Sequence, residues 1–239
     1  MRVCLIPLRT KVREPAANVQ LFIERLEQTT AQKPDLICLP ECTFTGYLYC
    51  QADLQRFAEP VPGLTTKEVA RLARCHNVAI CFGMLESTEK GVYNTAVLID
   101  RSGAIVGSHR KIVEKPPFIN GNRVASIDTE FGKLGMLICA DLFDEEVIGQ
   151  LDPDLRLLMV PMSRCFDGLS PDPRRWEQEE RETYLQAVSR AGFSTVIVNA
   201  LDAGSSDGSF GGAMVVCADG TLAAESPHGT DEVLIYDFK

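Results

Sequence analysis

The apolar positions of this chain follow helical spacing in some stretches and form short continuous runs in others. The i, i+3, i+4, i+7 spacing of a half-buried helix is carried by Val19, Phe22, Ile23 and Leu26. Residues 65–68, Thr-Thr-Lys-Glu, form a capping-box sequence and predict the start of a second helix. Apolar positions between Trp176 and Ala191 predict a third helix over about 174–191.

Short apolar runs of strand length separate these helical stretches. The runs cover residues 3–6, 36–39, 78–82, 95–99, 134–138, 157–160, 195–198, 213–217 and 233–236. Several are apolar at successive positions, as strands buried on both faces are. The early chain alternates strand and helix, whereas later runs pair as hairpins around turn sequences at 101–103 and 218–220. This pattern predicts a mixed α/β domain with two sheets or one large sheet.

Length and composition limit the classes of protein that this chain can be. With 239 residues and no repeat or long linker, we expect a single domain over 1–239. A hydrophobic share of 45% and a charged share of 24% are typical of globular proteins and exclude a disordered or collagen-like chain. No run approaches the roughly 18 apolar residues that a membrane span requires. The run at 3–8 is too short for the core of a signal peptide.

Charge and cysteine content narrow the possible partners. The net charge of −9 argues against binding to nucleic acid or to anionic lipid. Nine cysteines, an odd number with no Cys-x-x-Cys pair, predict reduced thiols and a cytoplasmic protein. Because only three histidines are available besides, we expect neither a metal centre nor a bound cofactor.

Two polar segments follow predicted strands. Glu41 comes directly after the run 36–39, and the carboxyl edge of a strand is where α/β sheets place ligands. Taken alone, Glu41 is more simply interpreted as the first solvated residue of a loop. The basic segment 108–115, which contains Lys111, follows a predicted hairpin, and by itself it is typical of a solvated loop.

Cys139 ends the run 134–138 and precedes an acidic helical segment. A cysteine at a strand-to-helix turn can have its pKa lowered by the helix N-terminus, which favours the thiolate. The backbone N–H of the next residue can also stabilise an oxyanion. A buried structural cysteine explains the position equally well, since Cys38 and Cys81 also lie in apolar runs.

In combination, four segments resemble motifs of the carbon–nitrogen hydrolase (nitrilase) superfamily. The first two are Leu39-Pro40-Glu41 with Thr45-Gly46-Tyr47, and Tyr93-Asn94 with His109-Arg110-Lys111. The last two are Gly135 to Asp141, around Cys139, and Gly211-Gly212 with Asp219-Gly220. The resemblance covers almost the whole chain and implies a four-layer αββα sandwich and an amidase-like enzyme.

The resemblance also implies a catalytic triad of Glu41, Lys111 and Cys139. Glu41 would act as general base, Cys139 would form a covalent thioester-type acyl-enzyme, and Lys111 would stabilise the oxyanion. Glu114 inherits the role of a second glutamate that positions substrate and lysine, although it follows Lys111 by only three residues. Ala140 would add an oxyanion N–H.

Two further residues are candidates for positioning substrate. Tyr47 belongs to the first of the four matched segments. Arg164 follows the strand predicted at 157–160 and could bind a substrate carboxylate bidentately, although a surface arginine explains it equally well. Ala140 stands where many family members have an aromatic residue, and the family's Glu-Asn pair after Arg190-Ala191 is absent. These departures concern the substrate pocket and partner contacts more than the triad.

The function class and the substrate are separate questions. The first hypothesis is a hydrolase of a small linear amide or N-carbamoyl amine; a nitrile-hydrolysing member and a catalytically silent binding module are the alternatives. A nucleotide-binding α/β protein is disfavoured, because neither Gly-x-Gly-x-x-Gly nor a P-loop sequence occurs. The resemblance also implies a homodimer or higher homo-oligomer, formed through the helical segments that hold Phe143 and Tyr184.

Overall fold

The computed structural model describes residues 1–165, 174, 176–202 and 208–239. The strands of the described ranges are β1 (Arg2–Leu5), β2 (Arg9–Thr10), β3 (Leu36–Cys38), β4 (Ala79–Thr88), β5 (Gly91–Ile99), β6 (Ile105–Arg110), β7 (Ser126–Thr129), β8 (Gly132–Met136), β9 (Leu157–Met162), β10 (Thr195–Asn199), β11 (Leu201–Asp202), β12 (Ala213–Val216), β13 (Leu222–Glu225) and β14 (Leu234–Asp237). The helices are α1 (Pro15–Thr30), α2 (Gln51–Phe57), α3 (Leu64–His76), α4 (Glu145–Ile148) and α5 (Arg181–Ala191). A 3₁₀ turn covers Cys139–Phe143, and a π-helical turn covers Trp176–Glu180.

Two six-stranded sheets organise these strands. The first has the order β14-β1-β3-β4-β5-β6, and the second has the order β13-β12-β10-β9-β8-β7. In each sheet three neighbouring strands run parallel, and every other neighbouring pair of strands is antiparallel. The central strands are buried on both faces, which explains why their sequences are continuously apolar.

The two sheets pack face to face and are covered by helices on their outer faces. Between the sheets, Leu5 and Leu98 of the first share one apolar core with Met136 and Met159 of the second. Helices α1 and α3 pack on the outer face of the first sheet, and α5 with the 3₁₀ turn packs on the outer face of the second. This is the four-layer αββα sandwich, and the predicted fold is confirmed.

Each of the nine apolar runs overlaps a strand. The predicted helices differ from the observed ones at their ends. Gly63 is the N-cap of α3, because the Thr66 hydroxyl accepts the Gly63 N–H at 2.7 Å. The Thr65 hydroxyl donates instead to Glu59 at 2.6 Å, so the capping box begins two residues earlier than predicted. The third helix is divided into a π-helical turn and α5, and residue 175 lies outside the described residues.

Three further observations bear on the sequence-based expectations. All nine cysteines are free thiols. In the described ranges no helix has both the length and the apolar character needed to cross a membrane. The Phe143 and Tyr184 rings lie 5.1 Å apart within one chain, and Tyr184 is buried, so this pair serves the internal core. The oligomeric state stays a prediction.

Candidate active site

Lys111 follows its strand directly, Glu41 and Cys139 follow theirs after two intervening residues, and the sandwich brings these strand ends together. Glu41 lies beyond β3, Lys111 beyond β6, and Cys139 beyond β8 of the other sheet. The Glu41 N–H donates to the Met162 carbonyl at the end of β9 at 3.4 Å, which joins the two sheets at this point. The site therefore lies where the carboxyl ends of the parallel strands meet, as in other α/β proteins.

The loop that carries Glu41 packs directly on the backbone of β4. Gly83 donates its N–H to the Pro40 carbonyl at 2.9 Å, and its carbonyl accepts the Thr43 N–H at 2.9 Å. A Cβ atom at Gly83 would lie 2.6 Å from the Glu41 Cα. Only glycine permits this close approach, and it fixes the height of Glu41 above the sheet.

Lys111 is the centre of a buried ionic network. Its Nζ lies 2.8 Å from Glu41 Oε1 and 2.9 Å from Glu114 Oε2. The Asn94 amide donates to the same two carboxylates, at 2.6 Å to Glu41 and 3.0 Å to Glu114. Two carboxylates thus share one ammonium group and one amide, and the three-residue interval from Lys111 to Glu114 is long enough for the contact. The Glu41 Oε2 atom is buried and has no hydrogen-bond partner among the described residues.

The network separates the proton affinities of its members. Burial raises the pKa of Glu41 above its ordinary value, although Lys111 opposes the shift. Burial would likewise raise the pKa of Glu114, but Lys111 and the Tyr47 hydroxyl outweigh it, and that pKa is lowered. Burial alone would lower the pKa of Lys111, yet the charges around it raise that pKa, so the lysine stays protonated. Glu41 is therefore the carboxylate better suited to accept a proton.

Cys139 occupies a strained backbone position at the start of the 3₁₀ turn. Its φ of +46° lies in the left-handed region, which non-glycine residues adopt rarely and often at functional sites. The backbone of Ser163, after β9, hydrogen-bonds to the sulfur. The N–H of Ala140 lies in the first turn, where helical N–H groups have no acceptor in their own helix. Both groups can therefore serve chemistry at the sulfur.

The expected lowering of the Cys139 pKa is wrong. Burial, together with the negative charge of Glu41, raises the pKa of this thiol to about 12, although Lys111 and the Ser163 backbone oppose the shift. The following helical element is a 3₁₀ turn of only five residues, and its dipole does not overcome these effects. At neutral pH the sulfur therefore holds its proton, and it requires a base to become a nucleophile.

Asp141 ties the lysine segment to the cysteine turn, a role that the sequence motif did not reveal. Its Oδ1 accepts the N–H groups of Ile112 and Val113 at 3.0 and 2.8 Å. Its Oδ2 accepts the Ile138 N–H at 3.1 Å and contacts His109 Nε2 at 2.8 Å. One fully buried carboxylate thus fixes the backbone on both sides of the site. Its position three residues beyond the apolar run 134–138, next to the cysteine motif, was the available signal.

Tyr47 and Arg164, the two remaining candidates for positioning substrate, have different surroundings. The Tyr47 hydroxyl hydrogen-bonds to Glu114, and the ring of Tyr47 lies 5.5 Å from Lys111 Nζ, so this residue borders the network. Arg164 forms an ion pair with Glu180 at 2.9 Å, and its backbone N–H donates to Asn199 at 2.7 Å. The guanidinium group is thus already paired with a carboxylate of the chain itself.

Cys42, the other thiol beside Glu41, has a different environment. It is fully buried, and its sulfur lies 3.8 Å from the Asn94 side-chain oxygen. Burial and the charge of Glu41 hold its pKa well above the ordinary value. The thiol therefore packs behind the network, whereas Cys139 is only partly buried.

Comparison with known proteins identifies the family. A family model described as carbon-nitrogen hydrolase matches residues 2–239. Omega-amidase NIT3 of Saccharomyces cerevisiae is 25% identical over 99% of this chain and 86% of that protein. Human omega-amidase NIT2 is 24% identical over 92% of this chain and 81% of that protein.

A solved structure shares the fold. It is a variant of the amidase from Nesterenkonia sp. AN1, which carries the acetamide moiety of fluoroacetamide at its active site cysteine. It superposes with a TM-score of 0.82 at 20% identity, over 100% of this chain and 90% of that one. The family match spans almost the entire sequence, and the relatives named above are amidases. The predicted resemblance and the predicted enzyme class are confirmed, and the chain belongs to the carbon-nitrogen hydrolase family.

Proposed function

We propose that this protein hydrolyses a small linear amide or N-carbamoyl amine through an acyl-enzyme on Cys139, with Glu41 and Lys111 as its catalytic partners. The observation that carries the proposal is the buried Glu41–Lys111 pair, which leaves Glu41 Oε2 without a hydrogen-bond partner among the described residues, near a thiol that keeps its proton. A thiol in this state is a nucleophile only when a base accepts its proton. The names of the related amidases support the same reaction class.

Acylation follows from these positions. Glu41 accepts the Cys139 proton as the sulfur attacks the carbonyl carbon, and the carbonyl oxygen becomes an oxyanion. The Lys111 ammonium group and the Ala140 N–H stabilise that charge. The tetrahedral intermediate then breaks its C–N bond, and Glu41 returns the proton to the departing ammonia or amine. A thioester between the acyl group and Cys139 remains.

Deacylation uses the same groups. Glu41 accepts a proton from water as the oxygen attacks the thioester carbon, and the oxyanion again meets Lys111 and Ala140. The C–S bond breaks, the acid leaves, and the proton held by Glu41 returns to the sulfur. Glu114, whose pKa is lowered, stays ionised and holds Lys111 in place together with Asn94. Both are positioning residues in this scheme.

The pKa of Glu41 determines an acid limb in the pH profile of activity. Burial raises this pKa. As the pH is lowered, kcat/KM is therefore expected to begin falling at a pH above the range in which ordinary carboxyl groups titrate. The Asn94 hydrogen bond lowers the same pKa. Asn94→Leu is therefore expected to move the acid limb to higher pH. The exposed Asn122 provides a matched control, and Asn122→Leu should leave the limb in place. An unmoved limb in Asn94→Leu would contradict the role given to Glu41.

Ammonia release across a panel of primary amides, N-carbamoyl amines and nitriles tests the proposed function. We expect turnover of amides or N-carbamoyl amines by the natural protein and none by Cys139→Ala. Turnover confined to nitriles would favour the nitrile-hydrolysing alternative. Absence of turnover of all three classes by folded protein, verified by a thermal melt, would favour the silent binding module.

A further inference from the structure

A cavity of about 250 Å³ opens beside the catalytic network. Its wall includes Tyr47, which contacts Glu114, and Ser163, whose backbone hydrogen-bonds to Cys139. Two residues that border the catalytic network therefore also line the cavity. Its volume lies just below the range typical of drug-sized ligands, so it suits a small substrate.

Asp202, at the end of β11, contributes an acidic group to the same wall. Its Oδ2 accepts only a long hydrogen bond, 3.4 Å from the Ser209 N–H. Its Oδ1 is buried, and no described residue hydrogen-bonds to it. A buried carboxylate oxygen without a partner is costly unless a cation or a donor meets it. Because Asp202 lines the cavity, a cation or hydrogen-bond donor bound in the cavity can meet this carboxylate.

A short chain of contacts connects Asp202 to the nucleophile. Ser209, which bonds to Asp202, also places its hydroxyl 2.6 Å from the Ser163 hydroxyl. The backbone of Ser163 reaches the Cys139 sulfur. Ser209 and Ser163 thus link Asp202 to the nucleophile through successive contacts, and all three of these wall residues face the same cavity as Tyr47.

Among the described residues that line the cavity, none has an unpaired positive charge that could neutralise the Asp202 carboxylate. Arg13 is the basic residue of that wall, and its guanidinium group binds Asp53 at 2.8 and 2.7 Å. Arg164, the candidate for binding a substrate carboxylate, is paired with Glu180. Among the described residues of the wall, Asp202 is therefore the charged group without an ion-pair partner, and its charge is negative. Burial also raises the pKa of Asp202. A cationic ligand beside the carboxylate would lower that pKa again, because it favours the ionised form.

We propose that Asp202 binds a positively charged amine at the far end of the substrate, so that the enzyme prefers ω-amino amides to neutral and anionic amides. This inference rests on the proposed function, since it concerns the distal end of the same substrate. An ammonium group beside Asp202 gains a charge-assisted hydrogen bond, whereas a methyl group of the same size leaves the carboxylate unpaired. A carboxylate at that position would be repelled.

Amides matched in size test the assignment. The ω-amino amides of three to six carbons are each compared with the neutral isostere that has a methyl group in place of the ammonium group, and with the anionic amides succinamate and glutaramate. For the best chain length we expect kcat/KM of the cationic amide to exceed that of its isostere at least about tenfold. In Asp202→Asn the ratio is expected to fall to within about threefold. Asp154→Asn changes an aspartate whose side chain is 84% exposed, and it should keep the natural ratio.

The possible results separate the inference about Asp202 from the proposed function. If the natural protein hydrolyses neutral or anionic amides as fast as the cationic amides or faster, the inference is overturned and the amidase proposal stands. This comparison of substrates requires no variant. A preference for the cation that survives in folded Asp202→Asn would overturn the assignment to Asp202. If no amide, N-carbamoyl amine or nitrile is hydrolysed, the proposed function fails and the inference fails with it.

Discussion

Glu41→Gln is expected to lower kcat/KM about 10²–10⁴-fold while the fold is preserved. Gln has the size of Glu and can still accept a hydrogen bond from Lys111, but its amide cannot accept a proton from Cys139. Because the thiol pKa is raised to about 12, little thiolate forms at neutral pH without this base. Loss within a coupled triad can exceed the range for a single general base.

A half-buried carboxylate outside the catalytic network provides the control for this variant. Glu225 accepts the indole N–H of Trp176 at 2.7 Å and pairs with Arg181 at 3.3 Å, and neither contact belongs to the catalytic network. Glu225→Gln is expected to lower the melting temperature but to keep kcat/KM near the natural value. Steady-state kinetics and thermal melts on both variants separate the effects. Activity of Glu41→Gln within about threefold of the natural protein would remove Glu41 as the base.

Lys111→Met is expected to reduce both turnover and stability. Turnover should fall about 10²–10³-fold, because the variant loses the charge that meets the oxyanion. The free energy of unfolding should fall by about 3–5 kcal/mol, because Glu41 and Glu114 then lie buried together without their shared cation. The two carboxyls will hold a proton in the folded state that they release in the unfolded state. The destabilisation is therefore expected to grow as pH rises above the ordinary carboxyl range.

A partly exposed ion pair gives the matched comparison for this lysine. Lys133 lies 2.7 Å from Asp152, with about a quarter of each side chain exposed. Lys133→Met is expected to change the free energy of unfolding by about 0–1 kcal/mol and to leave turnover unaltered. Denaturant unfolding at several pH values, with ammonia-release kinetics, measures both effects. Full activity in Lys111→Met would show that the oxyanion is stabilised by other groups.

Much of the fold could be predicted from sequence, because it depends on where the apolar strands lie, whereas the candidate triad was implied by the family resemblance of its four motifs. The continuous runs at 36–39 and 134–138 become central strands, and Glu41 and Cys139 follow them. Pairing across strands could not be predicted in the same way. Asn94 lies opposite Leu85 in the β4–β5 ladder, and only that register places its amide between two carboxylates.

Electrostatic properties were the least predictable feature of the site. The strand-to-turn position of Cys139 suggested a lowered pKa, but burial and Glu41 raise it. Arg164 was a candidate for anion binding, but the chain brings Glu180 to it from 16 residues further on. Both outcomes depend on neighbours that only the folded chain assembles, since charge effects act over a few ångströms whatever the sequence separation.

The most direct test of the central claim is identification of the acylated residue during turnover. The protein is mixed with a hydrolysed amide, quenched in acid within the first turnovers, and digested for peptide mapping by mass spectrometry. We predict that the acyl mass lies on Cys139 as a thioester that hydroxylamine removes. Acylation of Cys42 or Cys50 instead, or ammonia release with no acyl group on Cys139, would contradict the account.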